Sequence, residues 1–142
     1  MDAVARLEEL GFRVEALPRA EAAHWFASWC ESFCDAVRLR TGTFRHGGYH
    51  WHAFSFGIVR ALDGQKALDE YSRQQTPSVV AIPESWSNGP GFRVIGSPLP
   101  DLTFLQDDVY VFPESLEWSM VFTHEQPTFG PYFTRREWCW AS

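Results

Sequence analysis

Five histidines are the first residues of this chain with the means to do chemistry. His50 and His52 alternate along a stretch of extended character, so both project from one face at a spacing that suits two metal ligands. His124, followed directly by Glu125, ends a later strand and offers a third ligand with a carboxylate beside it. His50, His52 and His124 would then make an open, three-ligand zinc site, with Glu125 as general base toward a bound water. The plainer alternative makes them core or strand-end histidines hydrogen-bonded to backbone. H-x-H arises by chance, and the H-E-x-x-H of metalloproteases is absent.

Nucleophilic chemistry has less to stand on. Neither a G-x-S-x-G elbow nor a glycine-rich phosphate loop is present, and Gly47–Gly48 precedes a strand rather than joining strand to helix. Ser55 lies on an aromatic strand, and Cys139 lies between Trp138 and Trp140, where a packed thiol is the simpler reading. Cys30 and Cys34 fall one turn apart on a helix face, a poor disulfide geometry. Three cysteines also make an odd count for a disulfide framework, so reduced thiols in a cytoplasm are expected.

Two regions read as recognition surfaces. Residues 83–100 set Trp86 and Phe92 among Ser, Asn, Gly and Pro, and an aromatic on a long irregular loop is a typical interface anchor. In residues 135–140, Trp138 and Trp140 flank a cysteine beside two arginines. Between Arg93 and Arg135 there is no Lys or Arg, while Asp101, Asp107, Asp108, Glu114, Glu117 and Glu125 all fall there. Asp107 and Asp108 read as a solvated strand entry. Residues 76–142 hold eight acids against three bases, whereas residues 1–75 hold ten against nine. Such a field repels nucleic acid and anionic membrane and steers a basic partner inward; it also serves plain solubility.

The elements that must position these residues follow from periodicity and turn chemistry. Residues 2–10 read as a short helix stopped by Gly11, and 12–17 as a strand. Pro18 opens the strongest helix, to about residue 38, with Ala22, Trp25, Trp29, Cys30, Phe33 and Cys34 on one face. Residues 49–56 are expected as a strand apolar on both faces, hence central. Asp63 is a plausible N-cap for a helix to about residue 73 that turns Ala67, Leu68 and Tyr71 inward. Strands are expected at 76–82, 92–95, 108–112, 117–124 and 132–135.

Helices first and strands later point to α+β. The expectation is one domain over residues 1–142, with two or three helices packed on a mostly antiparallel sheet of about five to six strands. At 142 residues, 45% hydrophobic and 16% aromatic, a core needs no staple. No stretch reaches the roughly 18 apolar residues of a membrane helix. The opening Met1-Asp2, with Glu8 and Glu9 soon after, lacks the basic-then-apolar order of a signal peptide.

Several strings line up beyond composition: Trp51-His52-Ala53-Phe54-Ser55, Asp108-Val109-Tyr110-Val111, Trp118-Ser119-Met120-Val121-Phe122-Thr123-His124-Glu125 and Gly130-Pro131-Tyr132-Phe133. Over residues 12–134 the chain resembles a bacterial family of domains of unknown function with a W-H-x-F-S strand, a T-H-E strand end and a G-P-Y-F close. The resemblance implies a bacterial cytosolic protein. It singles out His52, Ser55, Thr123, His124, Glu125 and Tyr132; all of these except Glu125, together with Trp51, make a candidate pocket.

The sequence thus leads to a non-catalytic binding protein with no cofactor and a basic protein partner, an immunity-type inhibitor of a toxin being the narrowest form. Its candidate interface is Trp86, Phe92, Asp101, Asp107, Asp108, Glu125, Trp138 and Trp140. The alternative is a small metal-binding protein or metal-dependent enzyme using His52, His124 and Glu125. Oligomeric state is left open.

Overall fold

The chain begins with a helix whose ends are written in its sequence. The computed structural model describes residues 2–34, 54, 60–126 and 128–140, apart from the side chains of Trp86 and Trp140. Helix α1 spans Ala3–Glu9, and the Asp2 carboxylate at its N-cap accepts the Ala5 N–H at 3.0 Å. Gly11, at φ +94°, ends it as expected, with Phe12 N–H reaching back to Leu7 O at 3.0 Å. Strand β1 (Arg13–Ala16) follows, then α2 (Arg19–Phe33), with Pro18 at its N-cap position. Helix α2 stops short of the expected residue 38, because Cys34 has left helical geometry at φ −117° and ψ 10°.

The remaining elements are β2 (Leu62–Asp63), α3 (Gly64–Ser72), β3 (Ser78–Pro83), β4 (Phe92–Ile95), β5 (Val109–Phe112), β6 (Trp118–Phe122), β7 (Tyr132–Arg135) and α4 (Arg136–Trp140). Short 3-10 turns stand at Trp86–Asn88 and Thr103–Leu105. Among the described residues seven strands form one antiparallel sheet in the order β1-β4-β3-β5-β6-β7-β2. The α+β architecture is as expected. The sheet has seven strands rather than five to six, and four α-helices stand among the described residues rather than two or three. Two-residue β2 has no period to read; it exists because Leu62 and Asp63 register with Phe133 and Tyr132.

One further expectation is corrected, and another holds in position alone. Of the stretch 49–56 expected as a strand, only Phe54 lies within the described residues, and its backbone is helical. Asp63 stands at the N-cap of α3, but its side chain makes no capping hydrogen bond. Instead Gly64 N–H donates to Pro131 O at 2.9 Å, tying the start of the helix to the entry of β7.

Strand parity sorts the core into two layers. Val80, Ile82, Tyr110, Phe112, Val121 and Tyr132 face α2 and pack with Trp29, Cys30, Phe33 and Phe54. Val79, Ala81, Val109, Val111, Met120, Phe122 and Phe133 face α1 and α3 and pack with Leu7, Ala67 and Tyr71. Central strands β3, β5 and β6 are therefore buried on both faces almost throughout. Trp29 anchors the first layer, its ring centroid 4.5 Å from Tyr110 and 5.6 Å from Phe26. Helix α2 lies close to the sheet at Gly91, where an added Cβ would stand 2.8 Å from Ile82 Cδ1 and 3.1 Å from Ala22 Cβ.

The edge at β1 has a defined phase. Leu17 N–H donates to Gly91 O at 2.9 Å and Gly96 N–H to Pro77 O at 2.8 Å, both in register with the flanking ladders. Alternation then aims the backbone groups of Arg13 and Glu15 at β4 and those of Val14 and Ala16 away from it. On the same margin Arg93 gathers three carboxylates: Glu114 at 2.8 Å, Glu21 at 3.6 Å and Glu15 at 3.7 Å.

Candidate functional site

Three neighbouring strands finish or start at one end of the sheet, and the polar residues that flank them meet there. Pro83 of β3 pairs with Val109 of β5, which pairs with Phe122 of β6. The next residues along each strand are Glu84, Asp108 and Thr123, followed by His124 and Glu125. Glu84 N–H donates to Asp108 O at 2.8 Å, continuing the ladder by one step.

Asp108 is the hinge of this end. Its Oδ1 accepts the His124 backbone N–H at 2.8 Å and stands 2.7 Å from His124 Nδ1. Only 2% of Asp108 is exposed, so the expected solvated strand entry is corrected: this carboxylate is spent inside the fold. Asp107 is half-buried and equally engaged, accepting Ser85 N–H at 3.1 Å, Asn88 Nδ2 at 2.9 Å and Asp108 N–H at 2.8 Å. It fixes the 3-10 turn that carries Trp86. The side chain of Trp86 lies outside the described part.

His124 is held with Nδ1 against a carboxylate and Nε2 toward Glu125 Oε1 at 3.7 Å. Its imidazole is pushed above the ordinary value of 6.5, first by the hydrogen bond to Asp108; burial opposes this as the next influence, and the charges of Asp108, Glu125 and Asp107 each add a smaller upward push. A histidine in this setting has its protonated form favoured by the acidic frame around it.

Beside this frame, α2, the ends of β3 and β5 and the Gly89–Pro90 segment line a cleft of about 260 Å³. Ala22, Phe26, Ile82 and Pro90 supply apolar wall; Glu84, Tyr110 and Arg19 supply its polar groups. Tyr110 donates its hydroxyl to Glu84 Oε1 at 3.0 Å. Burial first, then the charges of Glu84 and Asp108, pushes its phenol well above the ordinary range, so it stays a donor.

The other expected site residues scatter. Phe92 is fully buried between β1 and β3, so its reading as an interface anchor is corrected: the second strand from the edge has consumed it. Asp101 is exposed beside α3, accepting Thr103 N–H at 2.9 Å. Trp138 is half-buried, edge-on to Phe133 of β7 at 6.4 Å with the Arg60 guanidinium 4.5 Å over its ring. Cys139 beside it is a packed thiol, pushed up to about 11 mainly by burial. The side chain of Trp140, together with His50, Trp51, His52 and Ser55, lies outside the described residues.

Thr123, His124 and Tyr132 do fall near one another. Thr123 Oγ1 donates to Phe129 O, and a Cβ at Gly130 would stand 3.0 Å from Thr123 Oγ1 and 3.2 Å from Tyr132 Cε2. The T-H-E and G-P-Y-F strings are therefore the two shoulders of one turn. Tyr132 itself is buried under Phe54, at 5.9 Å between rings. Among the described residues, no group of three or more His, Cys, Asp and Glu stands where it could hold a metal ion. No described helix is long and apolar enough to cross a membrane.

Sequence reasoning missed Glu84, Tyr110 and Asn88. A strand-end glutamate and a core tyrosine carry no signature of their own; only the register between β3 and β5 joins them. No family model matches the chain, and no curated protein or solved structure matches it.

Proposed function

We propose that this chain is a non-catalytic binding protein of the bacterial cytoplasm that receives a basic protein partner at the Glu84–Asp108–Glu125 end of the sheet. Inhibition of a toxin, in the manner of an immunity protein, is the narrowest form of this reading. The observation that carries it is that Glu84, Asp108 and Glu125 lie at the neighbouring ends of β3, β5 and β6, with Glu84 also lining a largely apolar cleft. Acidic groups around an apolar hollow steer a cationic surface and then give its side chains somewhere to seat. The three cysteines form no disulfide with one another, which suits a reducing compartment.

Affinity capture followed by a salt series tests it. Glu84→Gln and Glu125→Gln, made together, remove two charges while keeping an acceptor for the Tyr110 hydroxyl at position 84, and leave Asp107 and Asp108 alone. Association of the captured partner should slow about tenfold, and wild-type binding should weaken as salt rises. Salt-insensitive binding, or no stable complex, rules the reading out.

One observation favours a second reading, a metal-binding protein or metal-dependent enzyme using His124, Glu125 and His52. A carboxylate behind Nδ1 is how ligand histidines are commonly oriented, and Asp108 stands so behind His124. Stoichiometric zinc after purification, with a melting temperature that drops in chelator, would favour it. A melting temperature unmoved by chelator removes it.

A further inference from the structure

The edge of the sheet at β1 carries an inference that is independent of the acidic end. Among the described residues nothing pairs with the outer side of this strand. Edge strands are commonly blunted by like charges that repel a second strand. Strand β1 instead carries Arg13 and Glu15, opposite charges two residues apart on one face, with Val14 between them on the other.

We propose that β1 is a self-association edge, onto which a second copy of this chain docks antiparallel about a two-fold axis at Val14. The phase of the backbone selects this register. Val14 and Ala16 direct their N–H and C=O groups away from β4, as the Leu17 and Gly96 hydrogen bonds require. A two-fold axis at Val14 makes Val14 of each copy donate to and accept from Val14 of the other. Ala16 N–H of each copy then reaches Phe12 C=O of the other, while Phe12 N–H keeps its own bond to Leu7 O. The same register sets Arg13 directly across from Glu15, twice by symmetry. These are non-hydrogen-bonded positions, where facing side chains come closest. Sequence, backbone phase and charge thus agree on one self-complementary, isologous contact.

A neighbouring feature points the same way. Leu10, three residues before β1, is 63% exposed, the most exposed large hydrophobic residue among those described. In the Val14 register it faces the Leu17–Pro18 end of the second copy, whose arrival would cover it. The contact is small, so the dimer is a weak one, with a dissociation constant on the order of 100 μM.

Sedimentation equilibrium from about 10 μM to about 1 mM should show monomer passing to dimer. Arg13→Glu leaves one chain with two acidic positions on the edge, and Glu15→Arg leaves another with two basic ones. Each alone should lose dimer by tenfold or more in dissociation constant. An equimolar mixture of the two should regain it as a heterodimer, because every cross-strand pair is again of opposite sign. Hydrogen exchange on the unaltered protein needs no variant to fold: the Val14 and Ala16 amides should slow as concentration rises, while those of Arg13 and Glu15 stay protected throughout. A monomer at every concentration overturns the proposal, as does a dimer that leaves Val14 and Ala16 exchange unchanged. Failure of the mixture to recover what the single variants lost, with both folded by circular dichroism, also overturns it.

Discussion

Trp29 donates its indole N–H to Ser119 Oγ at 2.8 Å, in the middle of the layer between α2 and the sheet. Ser119 is fully buried and passes its own hydrogen on to Val111 O at 3.1 Å, so a polar relay crosses two strands and a helix within apolar surroundings. Ser119→Ala would strand a buried indole N–H and should cost about 1–3 kcal/mol, read as a lower urea midpoint with an unchanged slope. A Ser119→Ala protein as stable as the original would show that the relay contributes nothing.

The Asp108–His124 pair gives stability a pH dependence of known sign. His124 is raised in the fold above its ordinary 6.5, chiefly by its hydrogen bond to Asp108, so folding favours the protonated ring. The resulting stabilisation is complete below the unfolded value of 6.5 and fades as pH rises through the higher folded value. His124 is one-third exposed, so solvent screens part of the effect. Asp108→Asn should return the imidazole toward its ordinary titration, followed by NMR at His124, and flatten the stability profile on the alkaline side of 6.5. An imidazole that titrates unchanged in the variant would overturn the assignment of Asp108 as its cause.

At Gly91 the expectation concerns space alone. A methyl group there meets Ile82 Cδ1 at 2.8 Å, Ala22 Cβ at 3.1 Å and Ala81 O at 3.3 Å. Ile82 can swing its terminal carbon, whereas Ala22 and the Ala81 carbonyl move only with helix and sheet. Gly91→Ala should therefore lift α2 and cost about 1–3 kcal/mol by thermal or urea denaturation, despite the higher intrinsic order of alanine. A neutral or stabilising result would mean that α2 tolerates the displacement.

What could be read from the sequence follows from how local each signal is. The buried face of α2 repeats at helical spacing through Ala22, Trp29, Cys30 and Phe33, so the helix was legible apart from its end. Strands β3, β5 and β6 are short apolar runs between turn residues, and their existence was legible too. The strand at Phe92 was legible, but its burial was not, because the Pro and Gly around it say nothing of the two neighbouring strands that enclose it. Asp108 and His124 were each singled out, one as a surface acid and the other as a metal ligand. Their meeting depends on Val109 pairing with Phe122, a register no local pattern announces. Tyr110 and Glu84 join for the same reason, and only as facts of the assembled sheet.

The strand order also sets a timetable. Strands β4, β3, β5, β6 and β7 make a contiguous block from residues 78–135, while β1 and β2, made earlier, wait to be added at its two margins. Helix α2 leaves the ribosome among the first elements, yet Ser119, the partner of Trp29, is translated 90 residues after it. At ordinary elongation rates that is a wait of roughly 5–20 s during which Trp29 and Phe33 have at most an incomplete sheet to lie on. For that interval the newborn chain offers an aromatic helix face to whatever is nearby. Its safe passage in a crowded cell therefore rests on escort or fast elongation as much as on the strength of the finished core.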